Sequence, residues 1–314
     1  MLFYADIFLL IIIIILVVLI LSGFVSLCER RVLALVQIRI GPALFLFGLL
    51  TPITDGLKLF LKFALFVISV EVIYLLFSVF ISSICIFLGW LFFPLGFIIL
   101  LDNCFSLFIL LMIHATSNLF SVFFIGCFLF TSCFVYLAAM RTMLFAIIGE
   151  SSVLLLFFLT YLLDYFSFLS VKDICIGQLY LNNSYVGGLL FIGLFWISSL
   201  LDGLKLPFDY FECESELVAG LVTEFSGVFF VLYSVMEISH LLLSTILFAC
   251  LCFGGLFVCF KSILILIFCF FYPRVIGIRL KITTAQIFII FFLSFSCIFL
   301  FCWLACSKFL ACIL

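Results

Sequence analysis

Residues Ile7 to Leu27 read "IFLLIIIIILVVLILSGFVSL", an apolar run without a single charged side chain. About 20 such residues are what a helix needs to cross a hydrocarbon core roughly 30 Å thick. The run is preceded by Asp6 rather than a basic cluster and is not followed by a small-residue cleavage site. It is therefore expected to be a retained first span and not a secretory signal. Working outward, the rest of the chain has the same character, with 69% hydrophobic residues, 9% charged residues and a mean hydropathy of +1.64. A water-soluble fold cannot hide that much apolar surface. The predicted class is an all-α polytopic membrane protein, organised as a single membrane domain over residues 1–314.

Dividing the apolar runs at their polar interruptions predicts about eight spans of roughly 20 residues each. Their expected cores are 7–27, 70–93, 105–130, 150–169, 186–201, 217–238, 243–267 and 285–306. Alternating loops then put Arg30, Arg31, Arg39, Lys58, Lys62, Arg141, Lys205, Arg274, Arg279 and Lys281 on one face. Only Lys172 and Lys308 fall on the other, with Lys261 inside a span. Basic residues collect on the cytoplasmic or matrix side, so both termini are expected on the opposite side.

The 15 cysteines are scattered through apolar segments without zinc or iron-sulfur spacing, which favours small buried hydrophobes over ligands. No metal, prosthetic group or nucleic-acid partner is expected from the chain itself. The 48 phenylalanines fit a thymine-rich coding sequence, as in many organelle genomes. With no repeat and no extramembrane domain visible, redox chemistry would have to come from partner chains.

The first connection, "CERRVLALVQIRIGPALFLFGLLTPITDGLKLFLKF", has a turn expected at Gly41-Pro42 and a helix capped by Thr51 with Pro52 at its first position. Asp55, Lys58 and Lys62 then share one face, and Leu57, Phe60 and Leu61 another. At about a dozen residues this helix is too short to span; it reads as a short amphipathic helix lying in the interface among membrane lipids, or as an ordinary anchor. Glu29 cannot be neutralised by its neighbour Arg30, because adjacent helical residues diverge, so it needs a partner elsewhere.

In "AAMRTMLFAIIGESS", Arg141 and Glu150 are nine positions apart, about 13 Å along a helix, and cannot pair with each other. A lone carboxylate within a span costs about 3 kcal/mol on insertion scales, so Glu150 is expected to face a protein interior or a wet cavity, a helix-end acid reaching the headgroups being the alternative. The stretch "DGLKLPFDYFECESELVAGLVTEF" concentrates Asp202, Asp209, Glu212, Glu214, Glu216 and Glu224. On a helix that starts as early as Glu212, Glu212 and Glu216 would be neighbours on one face, and Glu224 would be about 12 Å deeper than Glu216. Clustered, buried acids raise one another's proton affinity, which suits a proton relay; a solvated acidic loop against a basic partner is the alternative for residues 209–216. Glu71, Glu237 and His240 read as interfacial groups near helix ends, and Lys261 as a snorkelling side chain or one paired with a hidden acid.

Four blocks, "ERRVLALVQIRIGP" with "FGLLTPITDGLKLFLK", "AMRTMLFAIIGE", "PFDYFECESELVAGLVTEF" and "FYPRVIGIR", resemble in order those of subunit 1 of NADH:ubiquinone oxidoreductase, respiratory complex I. The resemblance implies a largely eight-helix subunit in the mitochondrial inner membrane, forming part of the ubiquinone tunnel and the start of an acidic coupling path. It implies ubiquinone as substrate, with FMN and iron-sulfur clusters held by other complex I subunits of the membrane and peripheral arms. Carried over by motif position, Arg30, Arg39, Asp55, Lys58, Phe225 and Arg274 would belong to the tunnel and its entrance. Arg141, Glu150, Asp202, Asp209, Glu212, Glu214, Glu216 and Glu224 would belong to the proton path. The chain departs from the family pattern at Asp202 to Leu206, where E-T-N-R-x is usual, at Phe145 for a glutamine and at Phe225 for a tyrosine. After Arg274 the usual R-Y-D-Q is Ile276, Gly277, Ile278, Arg279, and the Gly41-Pro42 loop lacks the preceding N-x-x. A stand-alone secondary ion transporter, a subunit of a membrane-bound hydrogenase and an inert anchor are the competing readings; a transporter would be expected to carry internal repeats or broken helices.

Overall fold

The computed structural model describes residues 2–43, 48–62, 70–91, 133–163, 185–203, 207–208, 227–253, 258–278, 280–291, 294 and 298. Among these, every regular element is a helix. In chain order they are α1 (Leu2–Val36), α2 (Thr51–Phe60), α3 (Val70–Leu91), α4 (Cys133–Leu163), α5 (Tyr185–Asp202), α6 (Val228–Phe253), α7 (Val258–Ile265), a π-helical segment (Leu266–Phe271), α8 (Tyr272–Ile276) and α9 (Ile282–Phe291). Helices are what lipid demands, because each backbone N–H and C=O must find its partner within the segment. Three described stretches, Ile11–Val36, Val135–Leu154 and Val228–Cys250, are long and apolar enough to cross a membrane.

The first helix runs well past the expected end at Leu27. Its 35 residues give about 52 Å of length, against a hydrocarbon core of about 30 Å, so the turns carrying Glu29, Arg30 and Arg31 project beyond the apolar layer. One face, with Leu9, Ile13, Leu16 and Ile20, stays open, while Ile14 and Val18 are buried. Instead of turning at Gly41-Pro42, the chain turns at Gln37–Arg39, where the Arg39 N–H reaches the Ala34 carbonyl and Ile38 takes φ 53°. A β-branched residue there is strained, by about 1–2 kcal/mol.

The short helix also begins differently from expectation. Leu50 occupies the cap position, and the Thr51 hydroxyl donates backward to the Gly48 carbonyl instead of capping. Gly48 sits at φ +79°, where a Cβ would collide with the Pro42 carbonyl oxygen. Gly23 on α1 lies beneath Pro52, a Cβ there meeting the Pro52 Cβ at 3.2 Å, so α2 can seat close against α1. The expected amphipathic helix is thus present, with Leu57 and Phe60 exposed.

Helix α6 is the centre of the bundle, packing against α1, α2, α3, α5 and α7. Two expected boundaries are corrected around it. The break predicted at 239–242 lies inside α6, which ends at Phe253; the chain resumes as helix at Val258. Likewise the span expected to begin at residue 150 belongs to a helix that starts at Cys133 and carries Arg141 within it. The polar residues that suggested interfaces are accommodated by protein. Ser239, Ser244, Thr245 and Thr142 each donate to a carbonyl three or four residues back, so their hydroxyls need no water. His240 is buried at 3% exposure and Glu237 half-buried, rather than both lying at an interface. The expected span 105–130 lies outside the described residues.

Packing follows residue size. On α4, Ala138, Thr142 and Ala146 recur every four positions and are all buried, a stripe of small side chains that lets helices approach closely. Helix α4 packs mainly on α5. Helix α5 meets α6 through Phe195 stacked on Phe248, centroids 5.2 Å apart. Lys261, predicted to snorkel or pair with an acid, donates to the Phe253 carbonyl at 2.6 Å, a cation at the end of α6.

Candidate functional site

The extension of α1 beyond the apolar layer brings the distant sequence blocks together. Glu29 finds the partner it needs in Arg274 of α8, an ion pair with the two side chains 19% and 26% exposed. Burial lowers the Arg274 pKa, yet a guanidinium stays charged at physiological pH. One residue on, Arg30 donates to Asp55 of α2 at 3.0 Å, with both side chains at least half exposed. Because residues 29 and 30 project about 100° apart on the helix, the two bonds hold different neighbours, α8 and α2.

The third block joins the same end. The Leu280 N–H reaches the Pro207 carbonyl at 3.4 Å, and a Cβ on Gly277 would lie 3.7 Å from the Pro207 nitrogen. Phe208 is buried at 3% exposure. Gly203 closes α5 by donating to Ser199, and a Cβ there would touch Phe270 and Leu241. Segments around residues 29, 55, 207 and 274–280 therefore form one polar-rimmed end of the bundle, anchored below by α6.

Arg30, Asp55 and Arg274 of the expected tunnel set are in this cluster. Lys58 is on α2 and Arg39 in the turn after α1, both exposed. Glu150 lies within α4, 4% exposed, one step further along the Ala138–Thr142–Ala146 stripe, so the interior reading holds over the helix-end alternative. Arg141 is half-buried on another face of that helix, and Asp202 is the last residue of α5. Asp209, Glu212, Glu214, Glu216, Glu224 and Phe225 lie outside the described residues.

Two contributors were not among the expected site residues. Glu29 was singled out as needing a partner but not as part of the site, and Leu280 was not singled out. The signal for Glu29 was a carboxylate at a span end with only adjacent arginines; a backbone donor such as Leu280 leaves no mark in a sequence. Among the described residues no group of three His, Cys, Asp or Glu side chains is arranged to hold a metal ion.

The sequence is similar to those of known proteins over most of its length. The NADH-ubiquinone oxidoreductase chain 1 of Leishmania tarentolae is 67% identical over 306 residues, covering 98% of each chain. The chain of that name from Artemia franciscana is 32% identical over 259 residues, 80% of each. A subunit of the NADH-quinone oxidoreductase of Caulobacter vibrioides is 30% identical over 247 residues, 74% of this chain and 68% of its own. A family model described as NADH dehydrogenase matches residues 8–307, and with nearly the whole sequence so covered, the chain belongs to the NADH dehydrogenase family.

Proposed function

We propose that the chain is a membrane-arm subunit of a proton-translocating NADH:ubiquinone oxidoreductase. It builds the membrane-side wall of the ubiquinone site and begins the acidic path that couples quinone reduction to proton movement. The observation that carries this reading is the convergence of Glu29–Arg274, Arg30–Asp55 and Pro207–Leu280 at one end of the bundle. That end combines ion-paired arginines and the exposed Lys58 with the apolar surface of α2, which suits a ligand with a polar head and a long hydrocarbon tail.

Reducing a quinone to a quinol takes two electrons and two protons. Electrons from NADH would have to reach the quinone through FMN and iron-sulfur clusters held by partner subunits. The contribution of this chain is electrostatic. Arg30, Arg39 and Arg274, with Lys58 and Asp55 at the entrance and Phe225 on the wall, hold the headgroup where negative charge arrives. A change of charge there alters the proton affinity of nearby carboxylates. Asp202, Asp209, Glu212, Glu214, Glu216 and Glu224 carry that change inward to Arg141 and Glu150, whose burial on a close-packed helix stripe makes its protonation sensitive to a neighbouring charge.

The chain sits in the mitochondrial inner membrane with about eight spans, both termini toward the intermembrane space. It is encoded in the organelle and works only within the assembled enzyme. Gentle isolation from native membranes tests this: recovery in a large complex with FMN, iron-sulfur clusters and inhibitor-sensitive NADH:quinone reduction is expected. Recovery alone, with ion exchange in liposomes, would mean a transporter.

A further inference from the structure

Between α7 and α8 the helix widens into a π-helical segment, Leu266–Phe271. A proline stands two residues further on. Pro273 has no N–H and its ring crowds the carbonyl of residue 269, the one it would bond in an α-helix. That carbonyl, of Cys269, accepts instead from the indole Nε1–H of Trp196 on α5, at 2.9 Å. Single-turn π segments recur at functional sites, where they re-aim the next turn of helix. Here the next turn carries Arg274, beside Glu29. Were residues 266–271 α-helical, Arg274 would be turned about 100° away, the azimuth of one residue.

We infer that Trp196 is a positioning residue: its hydrogen bond to Cys269, with Pro273, fixes the π turn that presents Arg274 to Glu29 and so to the quinone headgroup. The quinone arm of this inference rests on the function proposed above; the register arm does not. Three elements meet in it, α5 through Trp196, the π segment through Cys269 and α1 through Glu29. The indole is half-buried, and its N–H, which needs a partner there, finds it in a backbone carbonyl of another helix and so ties α5 to the π segment.

The test has two readouts in the assembled complex. In a Cys28→Ser background, Glu29→Cys and Arg274→Cys are joined in membranes by a short bifunctional thiol reagent and the product is mapped by peptide mass. A strong link is expected with Trp196 present. It should fall about fivefold on Trp196→Phe, which keeps a ring but no donor, and on Pro273→Ala, which restores the missing N–H and is well tolerated in helices. In chains retaining Glu29 and Arg274, Trp196→Phe should raise KM for a short-chain quinone about tenfold while kcat changes less than about twofold. Unchanged links in both variants would overturn the register role. A lost link with unchanged KM would overturn the positioning role in quinone binding. Absence of inhibitor-sensitive quinone reduction in unsubstituted membranes would overturn the proposed function instead, while the link yields still decide the register.

Discussion

Removing the Glu29–Arg274 pair is the perturbation whose size the structure fixes best. Exposed ion pairs contribute about 0–1 kcal/mol, and losing one partner of a buried pair costs about 3–5 kcal/mol. With side chains 19% and 26% exposed, this pair lies between those limits, at about 2 kcal/mol of coupling. Arg30–Asp55 is an internal control on the same helix end, because its side chains are 59% and 50% exposed and its coupling should be about 0.5 kcal/mol. The assay is a double-mutant cycle for each pair, Glu29→Gln with Arg274→Gln and Arg30→Gln with Asp55→Asn. The quantity followed is the rate of irreversible heat inactivation of NADH:quinone reduction in membranes. Each single substitution in the first cycle should speed inactivation about 30-fold, the double little more than either; in the second the effects should be about twofold. Raising the salt to molar concentration should erase the second coupling and leave most of the first. Additive effects at Glu29 and Arg274, or a larger coupling at Arg30 and Asp55, would show that burial does not set the strength of these pairs.

Other outcomes rest on particular contacts. Lys261→Met should remove the cation from the end of α6 and speed heat inactivation about tenfold, with Lys261→Arg restoring most of it; equal behaviour of the two would show that the charge is irrelevant. Ala146→Leu, at 1% exposure on the small-residue stripe of α4, should cost about 1–3 kcal/mol and lower the amount of assembled complex, whereas Leu144→Ala on the exposed face should not. Glu150→Gln and Glu224→Gln should each suppress coupled quinone reduction while assembly, read on native gels, stays near normal; full coupled activity would remove that carboxylate from the path.

Much of the architecture was legible because lipid imposes a simple code. The apolar run at 7–27 announced α1, and Thr51 to Lys62 announced α2 through opposed charged and apolar faces. The isolation of Glu29 from its neighbours was also legible, as was the need of Glu150 for an interior. Boundaries were less so. Serine, threonine and histidine at 239–245 look like an interface when counted as polar, but hydroxyls bonded to their own helix and an imidazole enclosed by protein permit a continuous span. The identity of the partner of Glu29 was hidden for a different reason. It depends on a π turn that shifts the register of Arg274, and that turn depends on a hydrogen bond from Trp196, 73 positions away from Cys269.

Whether this end of the bundle walls the ubiquinone site can be read by photolabelling native membranes with a light-activated ubiquinone analogue and mapping the modified peptides. Label displaced by excess ubiquinone is expected in this chain within residues 29–62, 207–212 and 272–281. Displaceable label confined to other subunits, or to segments of this chain remote from Glu29 and Arg274, would place the quinone site elsewhere and overturn the proposed role.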